Sequence, residues 1–352
     1  MKVLVTGGCG YIGSVAVFEL LSRGYAVKII DKMYFGNEHF EKANYGTRIE
    51  VVQGDIRNFE KSILDDVDAV IHLAGLSNDP MAEFNPKANF DINVTGTKAL
   101  ALACIEKKIK RFIYASSASI YDTGLLGDDI MQGENIKVEP LAAYSKSKYD
   151  GERVLLELAK EHQDFCPIIL RQGTVFGQSP RMRYDLVVNT MVKNAFTNGR
   201  IKVFCGGTQW RPLIDVKDLA RAYIACLEAP ENLVKREIFN VSFDNFRILD
   251  VAHRIKESLK GIKQIEVDVD YTAGRIDRSY RISNKKIEDR LGFRHRISIE
   301  QSSLEIAKNI KHFLDNNGIA IELDHPKFYN IKWLEHLVDM EKRIKAMGGN
   351  VF

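Results

Sequence analysis

A tyrosine and a lysine that lie four residues apart, Tyr144 and Lys148, are the side chains of this sequence with the clearest chemical potential. On a helix, this spacing places both side chains on one face. The phenol of tyrosine has an ordinary pKa of about 10 and is therefore a poor base at neutral pH. Because a nearby ammonium favours the phenolate and lowers that pKa, the pair predicts a base that takes a proton from an alcohol. By itself, the same spacing is also typical of an exposed helix face.

A glycine-rich turn near the start of the chain predicts where a dinucleotide binds. Gly7, Gly10 and Gly13 follow an apolar, strand-like run. In such a turn the first glycine permits a tight bend, the second lets the backbone approach a pyrophosphate, and the third lets the helix pack against the strand. The helix that begins near Tyr11 and Ile12 offers free N–H groups and the positive end of its dipole to the phosphates.

An acidic residue at the end of the second strand-like run, Asp31, narrows the choice of dinucleotide. Its distance from the glycine turn is that expected of a residue that binds the adenosine ribose. This spacing argues against the alternative that the glycine turn joins strand and helix without binding a ligand. A carboxylate there accepts from the 2′-hydroxyl and repels a 2′-phosphate, so NAD is favoured over NADP. The adjacent Lys32 weakens that preference.

The ends of the next three strand-like runs complete the predicted site. Asp55, followed by Ile56, comes after the third run and either contacts the adenine amino group or serves the turn; both interpretations stay open. The fourth run ends at the crevice where open α/β sheets bind ligands, with the residues Leu73, Ala74 and Gly75. The fifth ends in Ser116 and Ser117, one of which is expected to hold the reacting oxygen. The chain has the glycine turn first, then the strand that ends in serines, and then the helix with Tyr144 and Lys148. This order favours a catalytic role for the Tyr144–Lys148 pair over the alternative of an exposed helix face.

The elements that must position these residues alternate between strand-like and helical patterns through the first half of the chain. The predicted strands cover residues 3–6, 26–31, 49–53, 69–73, 112–116 and 167–171, and the predicted helices cover residues 15–22, 95–107 and 143–161. This alternation predicts an α/β fold of Rossmann type, with a doubly wound parallel sheet and right-handed crossovers. We expect residues 1–177 to form the NAD-binding domain.

The pattern is less regular after residue 177 and predicts a smaller, interleaved C-terminal substrate lobe from residues 178–211 and 243–315. Residues 181–198 read as one long helix, and residues 212–242 are expected to complete the sheet, with a strand at 237–241. Further helices are predicted at 216–227 and 249–259, and strands at 201–204 and 265–269. Residues 316–352 form a predicted C-terminal helical extension with a helix at 331–345.

Composition excludes several classes of function. The 352 residues carry a net charge of only +3 and no basic tract, which argues against nucleic acid as a partner. Five scattered cysteines without Cys-x-x-Cys spacing argue against a metal site and a disulfide framework, and favour a cytoplasmic protein. No run of about twenty apolar residues exists to span a membrane.

The sequence resembles the extended short-chain dehydrogenase/reductase family, in its nucleotide-sugar epimerase and dehydratase branch, from Lys2 to about Phe293. The motifs that carry the resemblance are residues 6–13, Asp31, residues 54–56, 72–75, 93–97 and 116–121, Tyr144 with Lys148, Leu170 with Arg171, and Trp210 and Arg211 with Asp218.

The resemblance implies a role for each catalytic residue. Ser117 would be the catalytic hydroxyl, Tyr144 the base, and Lys148 both its activator and a ligand of the nicotinamide ribose. Ser116 and Asn93 belong to motifs that line the cofactor. A tightly held NAD would take up hydride and return it. The resemblance also implies a homodimer in which the helices at residues 93–107 and 143–161 pack against their copies.

Departures from the family pattern limit the reaction and leave the sugar open. The 4,6-dehydratases have Asp-Glu directly after the catalytic hydroxyl residue, where this chain has Ala118 and Ser119, so dehydration is not expected. Four further departures from the UDP-galactose 4-epimerase pattern are Ser77, Asp122, Thr174 and Asp215, and they put the identity of the nucleotide and the sugar in doubt.

On the substrate side, arginines are the expected ligands of a nucleotide diphosphate, because the guanidinium fork suits phosphate oxygens. Arg211 matches the phosphate-binding arginine of the family. Arg278 fits a dehydratase-like alignment and Arg275 an epimerase-like one. Arg183 is a further candidate, whereas Arg181 is expected at the surface. Thr174 completes the predicted substrate set.

The preferred interpretation is an NAD-dependent nucleotide-sugar 4-epimerase that oxidises C4 transiently. The alternatives are a nucleotide-sugar 4-dehydrogenase that releases the keto-sugar and an NAD-dependent oxidoreductase of another alcohol. A dinucleotide-sensing regulator is the alternative that is not an enzyme, and it is disfavoured because such proteins usually lose the tyrosine or the lysine.

Overall fold

Fourteen strands and thirteen α-helices are found among the residues that the computed structural model describes, which are 1–42, 45–122, 130–272, 278–316 and 318–346. The strands are β1 (Lys2–Thr6), β2 (Ala26–Asp31), β3 (Ile49–Gln53), β4 (Ala69–His72), β5 (Arg111–Ser117), β6 (Met131–Gln132), β7 (Cys166–Gln172), β8 (Thr174–Phe176), β9 (Arg200–Phe204), β10 (Trp210–Asp215), β11 (Ile238–Val241), β12 (Asp244–Arg247), β13 (Glu266–Asp270) and β14 (Arg281–Ile282).

The helices connect and cover these strands. They are α1 (Tyr11–Ser22), α2 (Glu38–Glu41), α3 (Asp79–Phe84), α4 (Pro86–Phe90), α5 (Thr97–Glu106), α6 (Ala143–Glu161), α7 (Val187–Asn198), α8 (Val216–Glu228), α9 (Glu231–Val234), α10 (Ile248–Leu259), α11 (Lys285–Leu291), α12 (Ile299–Asp315) and α13 (Asn330–Ala346). A π-helical segment, Asp91–Gly96, leads directly into α5.

Seven strands form one parallel sheet in the order β11-β7-β5-β4-β1-β2-β3. The chain builds outward from β1 in one direction through β2 and β3, and then in the other through β4, β5 and β7. The direction therefore reverses between β1 and β4, which is where doubly wound sheets bind ligands. This arrangement confirms the predicted Rossmann-type α/β fold.

Alternate residues of each central strand pack on opposite faces of the sheet, as strand geometry requires. In β1, Val3 and Val5 belong to the core cluster on one face, together with residues of α1 and α8. Leu4 belongs to the cluster on the other face, with residues of α5 and α6. Because both faces are covered, the central strands are largely apolar, as the sequence indicated.

Three small sheets build the rest of the molecule: β12-β10-β8, β13-β9 and β14-β6. The predicted return of residues 237–241 to the main sheet is confirmed, since β11 pairs in parallel with β7. No helix within the described part of the chain has the length and apolar character needed to cross a membrane.

One predicted element is wrong in a way that matters for the site. The helix expected over residues 181–198 begins only at Val187, and the preceding segment is non-helical. The Nδ2 of Asn189 donates to the Arg183 carbonyl at 2.9 Å, and the backbone N–H of Tyr184 donates to the Phe328 carbonyl at 2.9 Å. These contacts hold residues 181–186 along the wall of the cleft.

Candidate active site

A cavity of about 480 Å³ opens at the carboxyl ends of β1, β4 and β5 and brings most of the predicted residues together. The predicted site residues that line it are Gly7, Gly10, Tyr11, Ile12, Gly13, Asp31, Asp55, Ile56, Leu73, Ala74, Gly75, Ser117, Tyr144, Lys148, Thr174, Arg183, Arg211 and Arg278. Ser116 and Asn93 lie behind its wall. Arg275 lies outside the described residues.

Steric crowding explains the glycines between β1 and α1. Gly7 has a φ of +69°, and a Cβ there would lie 2.7 Å from the backbone nitrogen of Ala74. A Cβ at Gly13 would lie 2.2 Å from the Gly7 carbonyl oxygen. Because side chains are excluded here, the backbone at the start of α1 faces the cavity directly. Such a cradle, with the N-terminus of a helix behind it, suits the pyrophosphate of a dinucleotide.

Two backbone N–H groups orient the side chain of Asp31. Its carboxylate accepts from the backbone N–H of Cys9 at 3.0 Å and from that of Met33 at 2.7 Å. Burial raises the pKa of Asp31, while these two hydrogen bonds and the charge of Arg181 oppose the rise. The carboxylate is therefore fixed at the cavity wall, where it suits a ribose hydroxyl and fits NAD.

Asp55 is held by cations at the same end of the cavity. Arg57 donates to it at 2.6 Å, and Lys32 lies 3.5 Å away. Mainly because of the hydrogen bonds from Arg57, the pKa of Asp55 falls to about 2. The backbone N–H of Arg57 also donates to this carboxylate at 2.9 Å. Asp55 thus serves its turn and also lines the cavity, and its contact with the adenine amino group stays a prediction.

Ser117, Tyr144 and Lys148 meet on the cavity wall. The phenol of Tyr144 lies close to Ser117, and the hydroxyls of Ser117 and Ser119 lie 2.9 Å apart. The Nζ of Lys148 donates to the Ala115 carbonyl at 2.9 Å. All three residues are at least nine-tenths buried. A substrate hydroxyl at this point of the cavity would meet Ser117 and Tyr144 together.

The electrostatics of the pair differ from the sequence expectation. Burial raises the pKa of the Tyr144 phenol, and the nearby Ser117 hydroxyl and the charge of Arg183 only oppose that rise. Burial also lowers the pKa of Lys148 to about 8, which Glu152 opposes. The protein alone therefore keeps the phenol protonated. The lowered tyrosine pKa stays a prediction for the protein with oxidised nicotinamide beside it.

Ser116 faces away from the cavity, into a buried ionic network. It is fully buried and donates to Glu152. The same carboxylate accepts from the Nη2 of Arg171 at 2.7 Å and from its Nε at 3.0 Å. Alternation along β5 is the reason, since successive side chains point to opposite faces of the sheet. Its predicted contact with the cofactor is therefore not available to the side chain.

Asn93 supports the cavity from behind. Its side chain accepts from the backbone N–H of Leu76 at 2.9 Å, and it donates to the Leu76 carbonyl and to Ser147, each at 3.0 Å. These contacts join the loop after β4 to helix α6. The side chain thus fixes the loop that carries Gly75, and its predicted place beside the cofactor stays a prediction.

Arg181 and Arg183 form one wall of the cavity, and the expected surface position of Arg181 is wrong. Their exposed fractions are 6% and 7%. Arg183 donates to Asp185 through Nε at 2.8 Å and Nη2 at 3.0 Å. The guanidinium of Arg181 lies 3.5 Å from the centre of the Phe35 ring. The non-helical path of residues 181–186 lets both side chains turn inward, which a helix starting at 181 would not.

Arg211 and Arg278 line the opposite side, where protein groups already engage them. Arg211 donates to the carbonyls of Trp210, at 2.8 Å, and of Arg278. The Arg278 guanidinium lies 2.5 Å from Asp79 and 3.0 Å from Asp122. A diphosphate that binds Arg278 must therefore compete with two carboxylates.

The sequence interpretation missed cavity residues that come from distant parts of the chain, which are Phe35, Asp79, Asp185, Tyr280 and Asn330. Most carry no local signal, because a single acid or amide in a loop is ordinarily solvated. The alternation Arg181-Met-Arg-Tyr184 has a period of two and was the available hint of an extended segment. Within the described ranges, no group of three or more His, Cys, Asp or Glu side chains is placed to hold a metal.

Comparison with known proteins agrees with this geometry. A model of the family described as "NAD dependent epimerase/dehydratase family" matches residues 3–242. A putative UDP-glucose 4-epimerase of Methanocaldococcus jannaschii is 29% identical over 322 residues, which are 90% of this chain and 99% of the relative. A UDP-glucose 4-epimerase of Lactobacillus helveticus is 28% identical over 296 residues, 78% of this chain and 84% of the relative.

Among solved structures, the UDP-glucuronic acid 4-epimerase of Bacillus cereus in complex with UDP-glucuronic acid and NAD is similar to this chain. The two are 25% identical and superpose with a TM-score of 0.77, over 89% of this chain and all of the other.

Proposed function

The chain belongs to the NAD-dependent epimerase/dehydratase family, as the resemblance indicated, and on that premise we propose that it is a nucleotide-sugar 4-epimerase. The observation that carries the proposal is the neighbouring pair of Ser117 and Tyr144, which lines the same cavity as the glycine cradle and Lys148. The named relatives that cover most of the chain are UDP-sugar 4-epimerases, which supports a UDP-sugar as the first substrate class to test.

The residues of the cradle and of the adenosine end would hold NAD. The backbone from Gly7 to Gly13 would face the pyrophosphate, and Asp31 would accept from the ribose hydroxyls. Lys148, whose Nζ lies beside Gly75, would contact the nicotinamide ribose. When bound, NAD accepts a hydride from the sugar and later returns it.

Tyr144 would act as the base and then as the acid. As the C4 carbon gives up its hydride, the phenolate takes the proton of the C4 hydroxyl, and Ser117 holds that oxygen throughout. This first half of the reaction gives a 4-keto sugar as an intermediate that stays in the site. After the sugar turns its other face, the same carbon regains the hydride and Tyr144 returns the proton, so that C4 is inverted with no net oxidation.

Lys148 would supply the charge that makes the phenolate accessible. Its pKa of about 8 leaves it protonated for the most part at neutral pH, and the ammonium is anchored on the Ala115 carbonyl within reach of the site. Replacement of Asp-Glu by Ala118 and Ser119 removes the acid and base that elimination of water needs. Dehydration is therefore not proposed.

The substitution Tyr144→Phe tests this assignment. The variant keeps the ring and its packing but loses the proton acceptor, so we expect NAD to remain bound and turnover to fall at least a hundredfold. The reaction is followed by chromatography of UDP-, GDP-, dTDP- and CDP-sugars after incubation with purified protein. Inverted sugar without net NADH identifies an epimerase, and keto-sugar with equivalent NADH identifies a dehydrogenase. Full activity of the variant would refute the role of Tyr144.

We also propose that the protein acts as a homodimer in the cytoplasm. The exposed side chains Phe90 and Leu102, which are 51% and 42% exposed, lie on the helical stretch that leads into and through α5, and they suit burial against a second copy. Sedimentation should give twice the monomer mass of 39.9 kDa; a monomer at micromolar concentration would reject this arrangement.

A further inference from the structure

We propose that Asn330, which lies beyond the part of the chain matched by the family, is a positioning residue for the two buried arginines of the cavity wall. The family match ends at residue 242, whereas Asn330 is the first residue of α13. The inference rests on the proposed function, because it assigns Arg181 and Arg183 to the anionic groups of the cofactor and the substrate.

Asn330 contacts three residues of the cavity wall at once. Its Oδ1 accepts from the Nη2 of Arg181 at 2.7 Å, and its Nδ2 donates to the Ser77 hydroxyl at 3.0 Å. Its backbone N–H donates to the Oδ2 of Asp185 at 2.9 Å. Asn330 is 5% exposed, so water competes little for these bonds. The first residue of α13 is therefore part of the cavity wall.

The contacts of Asn330 close a ring around Arg183. Asp185 accepts from two nitrogens of the Arg183 guanidinium and also from the Asn330 backbone. Ser77 accepts from Asn330 and lies 3.4 Å from the Nη1 of Arg183. An arginine fixed in this way loses little conformational freedom when a ligand binds, so part of the ordering cost is met before binding.

Arg181 depends on Asn330 more directly. Burial and the charge of Arg183 lower its pKa to about 9. Its Nη2 bonds Asn330 and lies 3.3 Å from the Lys327 carbonyl, and its buried Nε has no hydrogen-bond partner among the described residues. A stacked, partly satisfied guanidinium facing a cavity suits a phosphate oxygen.

The segment that carries Asn330 is fixed on both sides of the cavity. Trp333 donates from its indole nitrogen to the Tyr34 carbonyl, near the adenosine end. On the other side, the Phe328 carbonyl accepts from the Tyr184 backbone at 2.9 Å, and Leu323 is buried in the main core. The position of Asn330 is therefore fixed by the contacts of its own segment, and its hydrogen bonds in turn fix the positions of the two arginines.

The test compares three single variants of the full-length holoenzyme. Asn330→Ala removes both side-chain bonds but keeps the backbone N–H that serves Asp185. Asn330→Asp keeps an oxygen for Arg181. Met340→Ala, at an exposed position of the same helix, is the control. For each variant, we measure kcat and KM for the nucleotide sugar, the half-time of NAD loss during dialysis, the affinity for UDP by calorimetry, and the melting temperature.

For Asn330→Ala we expect KM to rise about tenfold, equivalent to about 1.4 kcal/mol of binding, and NAD to be lost faster. The value of kcat should stay within twofold, because ground-state and transition-state binding are weakened alike. Asn330→Asp should recover most of the affinity, and Met340→Ala should match the wild type. In an Arg181→Ala background, Asn330→Ala should cost less than in the wild type, because only its support of Arg183 is left to lose.

Unchanged KM, UDP affinity and NAD retention in Asn330→Ala would overturn the proposal. So would a loss that appears only in kcat and the melting temperature and is not recovered by Asn330→Asp, since that describes a structural residue. If the wild type turns over no nucleotide sugar but Asn330→Ala still weakens UDP and NAD, the proposed reaction fails and the positioning role stands.

Discussion

The buried ion pair between Glu152 and Arg171 permits a sharp prediction, because it lies one helical turn beyond Lys148 and directly behind Ser116. The side chains of the pair are 1% and 4% exposed. Glu152 accepts from Nη2 of Arg171 at 2.7 Å and from its Nε at 3.0 Å, and also from the Ser116 hydroxyl. The substitution Glu152→Gln keeps the shape of the side chain and removes its charge.

Two quantities should change. Removing one partner of a buried ion pair costs about 3–5 kcal/mol, because the other charge is left buried. The amide oxygen of glutamine still accepts from Arg171, so we expect the lower end, about 3 kcal/mol. A domain with about 5–15 kcal/mol of stability remains folded after such a loss. The charge of Glu152 also opposes the fall that burial causes in the pKa of Lys148, so that pKa should fall further in the variant.

The sign of the pH effect follows from the role of Lys148. Its ammonium is present below its pKa of about 8 and is lost as the pH rises through that value. If the ammonium is needed for turnover, the alkaline limb of kcat/KM moves to lower pH in Glu152→Gln. Urea denaturation measures the loss of stability, and a pH profile of kcat/KM measures the shift.

Glu106→Gln is the matched control, since the Glu106 carboxylate pairs with Lys61 at an exposed position. Neither its denaturation midpoint nor its pH profile should change. The reasoning would be refuted if Glu152→Gln lost less than about 1 kcal/mol, or if it unfolded more easily while its alkaline limb stayed in place or moved to higher pH.

Two further substitutions test the cradle and a buried acid. In Gly13→Ala the new Cβ would lie 2.2 Å from the Gly7 carbonyl oxygen, so we expect at least a tenfold loss of NAD affinity by calorimetry. Gly133→Ala is the control, because position 133 has open space around it, and it should bind NAD as the wild type does. Burial raises the pKa of Asp215 to about 6, so its ionisation weakens the fold as the pH rises through 6. Asp215→Asn, which still accepts from the Lys217 backbone, should therefore be more stable than the wild type at pH 8 by up to about 3 kcal/mol, with the difference shrinking below pH 6. A difference that is equal at pH 5 and pH 8 would show that the charge of Asp215 is not its cause.

Local patterns predicted the elements of the central sheet because their signals lie within a few residues. Strands β2 and β3 and helix α6 occur at the predicted positions, and β1, β4, β5 and β7 differ by one or two residues. Buried parallel strands are continuously apolar, and the amphipathic helices between them are read from their period. The segment before α7 was predicted wrongly, because its alternating arginines are buried by partners more than a hundred residues away.

The site divides in the same way. The glycine turn, Asp31 and the Tyr144–Lys148 pair were identifiable because each meets a geometric requirement of the backbone or of one helix face. Which serine of the pair faces the cavity could be named only through resemblance, and the structure settles it by the pleat of β5. The engagement of Arg278 by Asp79 and Asp122, and of Asn93 by the loop after β4, depends on side chains brought together by packing.

The sequence by itself therefore determined the class of the fold, the glycine cradle after the first strand, and the placement of Tyr144 and Lys148 on one helix face. Those features follow from short-range steric and hydrogen-bonding constraints, which a few neighbouring residues specify. Only the tertiary structure decided the wall of the cavity, from the inward turn of Arg181 to the ring that Asn330 closes around Arg183. A contact across 149 positions of the chain leaves no periodic or compositional trace, because its energy comes from the burial of two side chains whose neighbours the fold supplies.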